Sequence, residues 1–188
     1  MRVAVTIDKA QLSAASQTLA GIRGALPRAL GSAVNDTAKQ ELAQIGKRIR
    51  DRVVIKKKDI DRNLHSTRAT AGDPLARLTL DKKGRLSLKY FGARQTTKGV
   101  TYKISRTGAR KLLPGAFGPE IDRLGRHVYR RAGKKGLPII KLFGPSPWGV
   151  FVKNDELRPT LADTEQRLRK NLERRVNLEL LRRAGKAR

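Results

Sequence analysis

The chain has 188 residues, with 43 Lys and Arg against 16 Asp and Glu, a formal net charge of +27. That length allows one domain, or one domain with helical extensions, and with only eight aromatic residues its core is lean. The absence of cysteine excludes disulfide frameworks, thiolate zinc sites and cysteine nucleophiles, and no apolar run approaches the ~18 residues of a membrane span.

The opening, MRVAVTIDKA, turns acidic and helical too soon for a signal peptide. A soluble product of a reducing compartment, without a membrane partner, is expected. Val3 to Ile7 suit a short strand, and Asp8 is placed to cap a first helix. Gly21, Gly24 and Pro27 interrupt that helix. A longer one follows, because Leu26, Leu30, Ala33, Val34, Ala38, Leu42, Ile45 and Ile49 recur at steps of mostly three and four. Pro27 fits its first turn, where the missing N–H costs nothing. After Lys56-Lys57-Lys58 comes a short helix with Asp59 near its start and Leu64 near its end.

From residue 76 the period changes to two. Ala76, Leu78 and Leu80 alternate with Arg77 and Thr79, and Asp81-Lys82-Lys83-Gly84 reads as a hairpin turn. Leu86, Leu88 and Tyr90 alternate with Arg85, Ser87 and Lys89; Val100, Tyr102 and Ile104 alternate with Thr101, Lys103 and Ser105. These predict a three-stranded antiparallel meander with one apolar and one basic face. A Gly- and Pro-punctuated segment follows, with short strands expected at Arg126–Ala132 and Leu137–Leu142. From about Asp155 the helical period returns through Leu161, Leu168, Leu172, Val176 and Leu180, with Pro159 in the first turn and a fraying AGKAR tail.

The expected fold is therefore α+β, a small meander flanked by a long N-terminal and a long C-terminal helix. Its segments are 1–73 (helical), 74–154 (basic, β-rich, with Gly/Pro loops) and 155–188 (helix), within one structural domain overall. Leu30, Ile45, Ile49, Leu168, Leu172 and Val176 are assigned to core or subunit packing. The two helices offer more apolar edge than one small domain needs, which leans toward oligomerisation.

Residues 74–118 carry 11 basic side chains and one acidic. A solvated antiparallel face is normally mixed in sign, since like charges opposite one another destabilise the pair. The excess points to an anion-facing surface of Arg77, Arg85, Lys89, Arg94, Lys98, Lys103, Arg106 and Arg110, its hydroxyls also suited to phosphate. DNA or an acidic protein surface would neutralise it. Sequence readout is not expected: no recognition motif is present, and the aromatics are few for base stacking. His65 and His127 are isolated, a two-metal nuclease needs convergent carboxylates where the sequence offers the close pairs Asp59/Asp61 (which resembles a helix start), Glu120/Asp122 and Asp155/Glu156, and Gly133-Lys134-Lys135-Gly136 lacks phosphate-loop spacing. No catalytic residue, cofactor or metal is assigned.

Phe91-Gly92-Ala93-Arg94-Gln95-Thr96-x-Lys98-Gly99-Val100, then Leu113-Pro114-Gly115-Ala116-Phe117, then Leu137-Pro138-Ile139 leading to Leu142-Phe143-Gly144-Pro145-Ser146, resemble the prophage minor tail protein Z family. The likeness runs over roughly residues 5–183. It implies a tail-completion protein of a long-tailed bacteriophage, made in the host cytoplasm and built into the virion near the head-proximal neck. Implied partners are further copies of itself in a ring, taken as hexameric, and tail tube, tail terminator or tape-measure proteins, with genomic DNA as a candidate contact. The alternative is a free, sequence-nonspecific nucleic-acid-binding protein of ribosomal or nucleoid type.

Overall fold

The computed structural model describes residues 2–5, 7–22, 24–70, 72–82, 84–118, 121–133 and 136–186, of which 2–5, 124 and 186 in backbone only. In chain order the elements begin with β1 (Arg2–Val5), α1 (Lys9–Thr18), α2 (Ala25–Arg52), α3 (Lys57–Asp61), β2 (Leu64–Ser66) and β3 (Ala76–Leu80). A 3-10 turn at Leu88–Phe91 precedes β4 (Arg94–Thr96), β5 (Gly99–Tyr102), β6 (Lys111–Pro114) and β7 (Ala116–Phe117). A second 3-10 turn at Asp122–Leu124 leads to β8 (Tyr129–Arg131), β9 (Ile139–Lys141), α4 (Pro147–Lys153) and α5 (Leu157–Lys186). The fold is α+β, with three small antiparallel sheets and long helices toward both ends of the chain.

The chain divides into two compact units, each drawn from separated stretches of the sequence. The first comprises residues 1–45, 64–80 and 156–188; the second comprises 46–63 and 81–155. The division cuts through α2 and through the segment expected to be one meander, so sequence order alone could not show it.

In the first unit β3 is flanked on both edges, by β1 and β2, giving the order β1-β3-β2. This corrects the meander: with both edges of β3 occupied, none is left for residues 86–90. It also corrects the short helix expected to reach Leu64, since α3 stops at Asp61 and Leu64 pairs with Leu80. Asp8 caps α1, accepting from the Gln11 N–H at 2.8 Å. Ala15, Leu19, Ala25, Ala29, Leu30, Ala33, Leu172 and Val176 form an apolar cluster.

Interleaved with that cluster, the seam between α2 and α5 carries polar pairs. Arg28 meets Glu179 at 3.0 Å, and Asp36 meets Arg174 and Arg175 at 2.6 and 2.7 Å. Asn171 donates to Thr37 at 2.9 Å, and Arg167 pairs with the buried Glu41. Partner numbers rise on α2 as they fall on α5, so the helices run antiparallel. The stripe expected on α5 is corrected accordingly: Leu168, Leu172 and Val176 are buried, but Leu161 and Leu180 are exposed. Thr160, Thr164, Asn171 and Glu179 take buried places on the helix instead. The helix continues through Lys186, into the tail expected to fray, whose last two residues lie outside the described ones.

The second unit holds the orders β4-β5-β6 and β7-β8-β9. Ser87 bridges Phe143, the Gly144 N–H donates to Leu86 O at 2.8 Å and the Leu88 N–H to Leu142 O at 3.1 Å. Residues 86–88 thus line the extension of β9, and the second strand of the expected meander is instead a bridge running into a 3-10 turn. Lys83 of the expected hairpin lies outside the described residues, and the Asp81 N–H donates to Asn63 O.

Candidate nucleic-acid interface

Charge and aromatic rings are distributed unequally between the units. The second, with 93 residues, carries 26 Lys and Arg against seven Asp and Glu, a net of +19; the first carries 17 against nine, a net of +8. All eight aromatic residues fall in the second unit. Of its acids, Asp59 and Asp61 pair within their own helix region with Arg62 and Lys57, and Asp122 pairs with Arg126.

The β7-β8-β9 sheet sorts these side chains by face. Phe117 pairs with Tyr129 and Tyr129 with Lys141, so the three form one row across the sheet. Alternate residues of a strand share a face, which adds Arg131. The Leu142 N–H donates to Val128 O at 2.8 Å, so the ladder continues and sets His127 opposite Phe143, which bridges Ser87. One face therefore presents Phe117, His127, Tyr129, Arg131, Lys141 and Phe143, with Arg85 at its edge.

The side-chain contacts agree with this register. Phe117 and Tyr129 have ring centroids 6.3 Å apart, and His127 stands edge-on to Tyr129 at 6.4 Å. The Arg131 guanidinium lies 5.5 Å from the Phe117 centroid. Phe143 is shared by two cations, Lys141 at 5.5 Å and Arg85 at 5.8 Å, and Lys89 sits 5.1 Å from the Tyr90 ring. Phe143 is 42% exposed, while Val128 on the opposite face is fully buried.

Positive potential converges on His127. Burial comes first, then Lys89 and Lys141, in holding its imidazole below the usual histidine range. Its Nδ1 is buried with no hydrogen-bond partner among the described residues. The imidazole is not isolated, as its place in the sequence suggested, but lies within the cation and ring cluster.

The eight basic residues expected on one surface are divided between the two units. Arg77 is on β3 in the first unit, and the other seven are in the second. Arg85 and Lys89 adjoin the ring-bearing face, Lys89 donating to Gly125 O at 3.1 Å. Arg94 is on β4, Lys98 is in the β4–β5 turn and Lys103 follows β5. Arg106 donates to Arg50 O and Arg110 to Gly92 O, so both tie backbone segments together. Sequence reading missed Lys141, His127, Phe143 and Arg131 as a group. The signal that could have found them was alternation in 127–131 and 139–143, where every second residue is a ring or a cation but for Ile139.

The motif residues have structural work in the second unit. Phe91 is fully buried, and an added Cβ on Gly144 would stand 2.3 Å from its ring. Gly92 ends the 3-10 turn at φ +62°. Gln95 donates to Gly99 O and accepts from the Gly118 N–H, linking the β4–β5 hairpin to the chain beyond β7. Gly115 turns Pro114 of β6 into Ala116 and Phe117 of β7, and Ser146 caps α4 by accepting from Gly149 at 3.0 Å. Ala93, between the turn and β4, and Pro145, before the cap, complete these connections.

Among the described residues no group of His, Asp and Glu is placed to hold a metal ion, and no helix is long and apolar enough to cross a membrane. Compared with models of protein families, with curated proteins and with solved structures, the chain matches none of them.

Proposed function

We propose that this chain is a structural component of a bacteriophage tail, at its head-proximal end, whose second unit lies against a polyanion without reading its sequence. The observation that carries the polyanion contact is the +19 charge of the second unit, concentrated with all the aromatic residues and opposed by only seven acids. Cations brought together without acidic neighbours repel one another. A polyanion removes that repulsion and releases its own condensed counterions. The place in a virion rests on the resemblance of the motif segments to the minor tail protein Z family. DNA passing the neck, or an acidic ring of a neighbouring tail protein, would supply the counter-charge.

One observation favours a second reading, a free nucleic-acid-binding protein. Leu30, Ile45, Ile49, Leu168, Leu172 and Val176 are all buried within the single chain. These six therefore close the chain's own core, as the second reading expects, and by themselves call for no neighbouring copy. A hexameric ring would need other contacts.

One measurement separates these readings and a second tests both. Mass spectrometry of purified particles from a phage carrying this gene should find the chain in tails; its absence there overturns the tail assignment. Titration with duplexes of unrelated sequence should give equal affinities that fall steeply with salt. A single preferred sequence would contradict both readings.

A further inference from the structure

The ring-bearing face holds more than a contact for phosphate requires. Cations alone would suffice to neutralise a duplex, whose bases are stacked inside. Here Phe117, Tyr129 and Phe143 are interleaved with Arg131, Lys141 and Arg85 on one sheet face, and Phe143 keeps 42% of its surface exposed beside its two cations. Exposed rings and guanidinium planes stack on the faces of unpaired bases, and neighbouring cations track the backbone that links them. Every base has such a face, so a platform of this kind is indifferent to sequence.

We propose that the face formed by β7, β8, β9 and residues 85–89 binds an unpaired nucleic-acid strand in preference to a duplex, with bases stacking at Phe143 and on the Arg85 guanidinium. Lys89, Lys141 and Arg131 take the phosphates. This rests on the polyanion reading of the second unit and names the form of nucleic acid that the site selects. The rows Phe117–Tyr129–Lys141 and His127–Phe143–Ser87 lie two residues apart along the strands. That places a ring or cation every ~7 Å, close to the spacing of successive nucleotides in an extended strand.

The test is fluorescence anisotropy of the full chain with three labelled ligands of equal phosphate number: oligo-dT, a blunt duplex, and an abasic strand with the same backbone. Oligo-dT is expected to bind at least fivefold more tightly than the other two. Phe143→Ala should lower the oligo-dT affinity about fivefold or more and leave the duplex affinity unchanged. Phe143→Leu, which keeps the apolar bulk, should behave as Phe143→Ala, and Phe143→Tyr as the parent. Since Phe143 is exposed, circular dichroism should show all three variants folded. Equal binding of all three ligands, or equal loss for strand and duplex in Phe143→Ala, overturns the stacking proposal and leaves the polyanion reading standing. Binding of none of them at low salt overturns both.

Discussion

Gly144 and Phe91 show how one atom can fix a contact between distant parts of the second unit. The fully buried Phe91 ring occupies the space where a Cβ on residue 144 would be, 2.3 Å from the nearest ring carbon. Gly144→Ala should therefore destabilise the chain by about 1–3 kcal/mol, because the ring must leave its place in a packed core. Chemical denaturation checks it, and an unchanged midpoint would show that the ring yields freely. His127 gives a residue-scale pH dependence. Its imidazole is held below the ordinary value of 6.5, first by burial and then by Lys89 and Lys141. The neutral form is therefore favoured by the fold: its stabilisation is full above pH 6.5 and is lost as the pH falls toward the lowered value. The parent should lose stability as the pH falls below 6.5, and His127→Gln should lose less. Identical profiles would place the imidazole in ordinary solvent.

At the scale of elements, the seam between α2 and α5 is held by polar rungs as much as by apolar ones. Arg167→Ala leaves Glu41 a buried carboxylate without its cation and should cost about 3–5 kcal/mol. Replacing both partners, as Glu41→Leu with Arg167→Leu, should be neutral or stabilising, since no charge then stays buried. Thermal melts of the single and double variants decide this, and a double variant worse than the single one would contradict it. Glu179 adds an acid-sensitive rung. Its hydrogen bond from Arg28, aided by the charges of Arg28 and Arg182, holds its carboxyl below the ordinary 4.5 despite burial. That stabilisation is present above pH 4.5 and is lost as the pH falls through the lowered value. Hydrogen exchange on α5 should accelerate there in the parent and change less in Glu179→Gln. The same seam explains what the sequence could and could not disclose. The α2 stripe was legible because Leu30, Ala33, Val34, Ala38, Ile45 and Ile49 are both apolar and buried. On α5 the buried places at Thr160, Thr164, Asn171 and Glu179 are polar, so apolar period alone extended the stripe wrongly to Leu161 and Leu180. Alternation at 76–80 and 100–105 marked extended chain, although β5 ends at Tyr102. It could not say which edges pair, because partner choice rests on β1, β2, β4 and β6, distant or weakly patterned in sequence.

For the whole molecule, the division into units turns a diffuse excess of charge into a localised one. Counting along the sequence placed the excess in residues 74–118, which straddle both units, and so grouped Arg77 with cations of a different sheet. Folding instead gathers Arg85 and Lys89 with Lys141, His127 and the rings of Phe117, Tyr129 and Phe143. That group was not legible because its members are spread over some sixty residues and meet only through the register of β7, β8 and β9. The central claim is that the charge of the second unit, and not net charge as such, binds the polyanion. The most direct measurement is the salt dependence of duplex affinity for two variants of equal charge, Arg85→Gln/Lys89→Gln/Lys141→Gln in the second unit and Lys9→Gln/Lys39→Gln/Lys170→Gln in the first. The account expects the slope of log K against log salt to fall by up to about 0.9 for each second-unit cation removed and to stay near the parent value for the first-unit triple. Equal slopes for the two triples would contradict it.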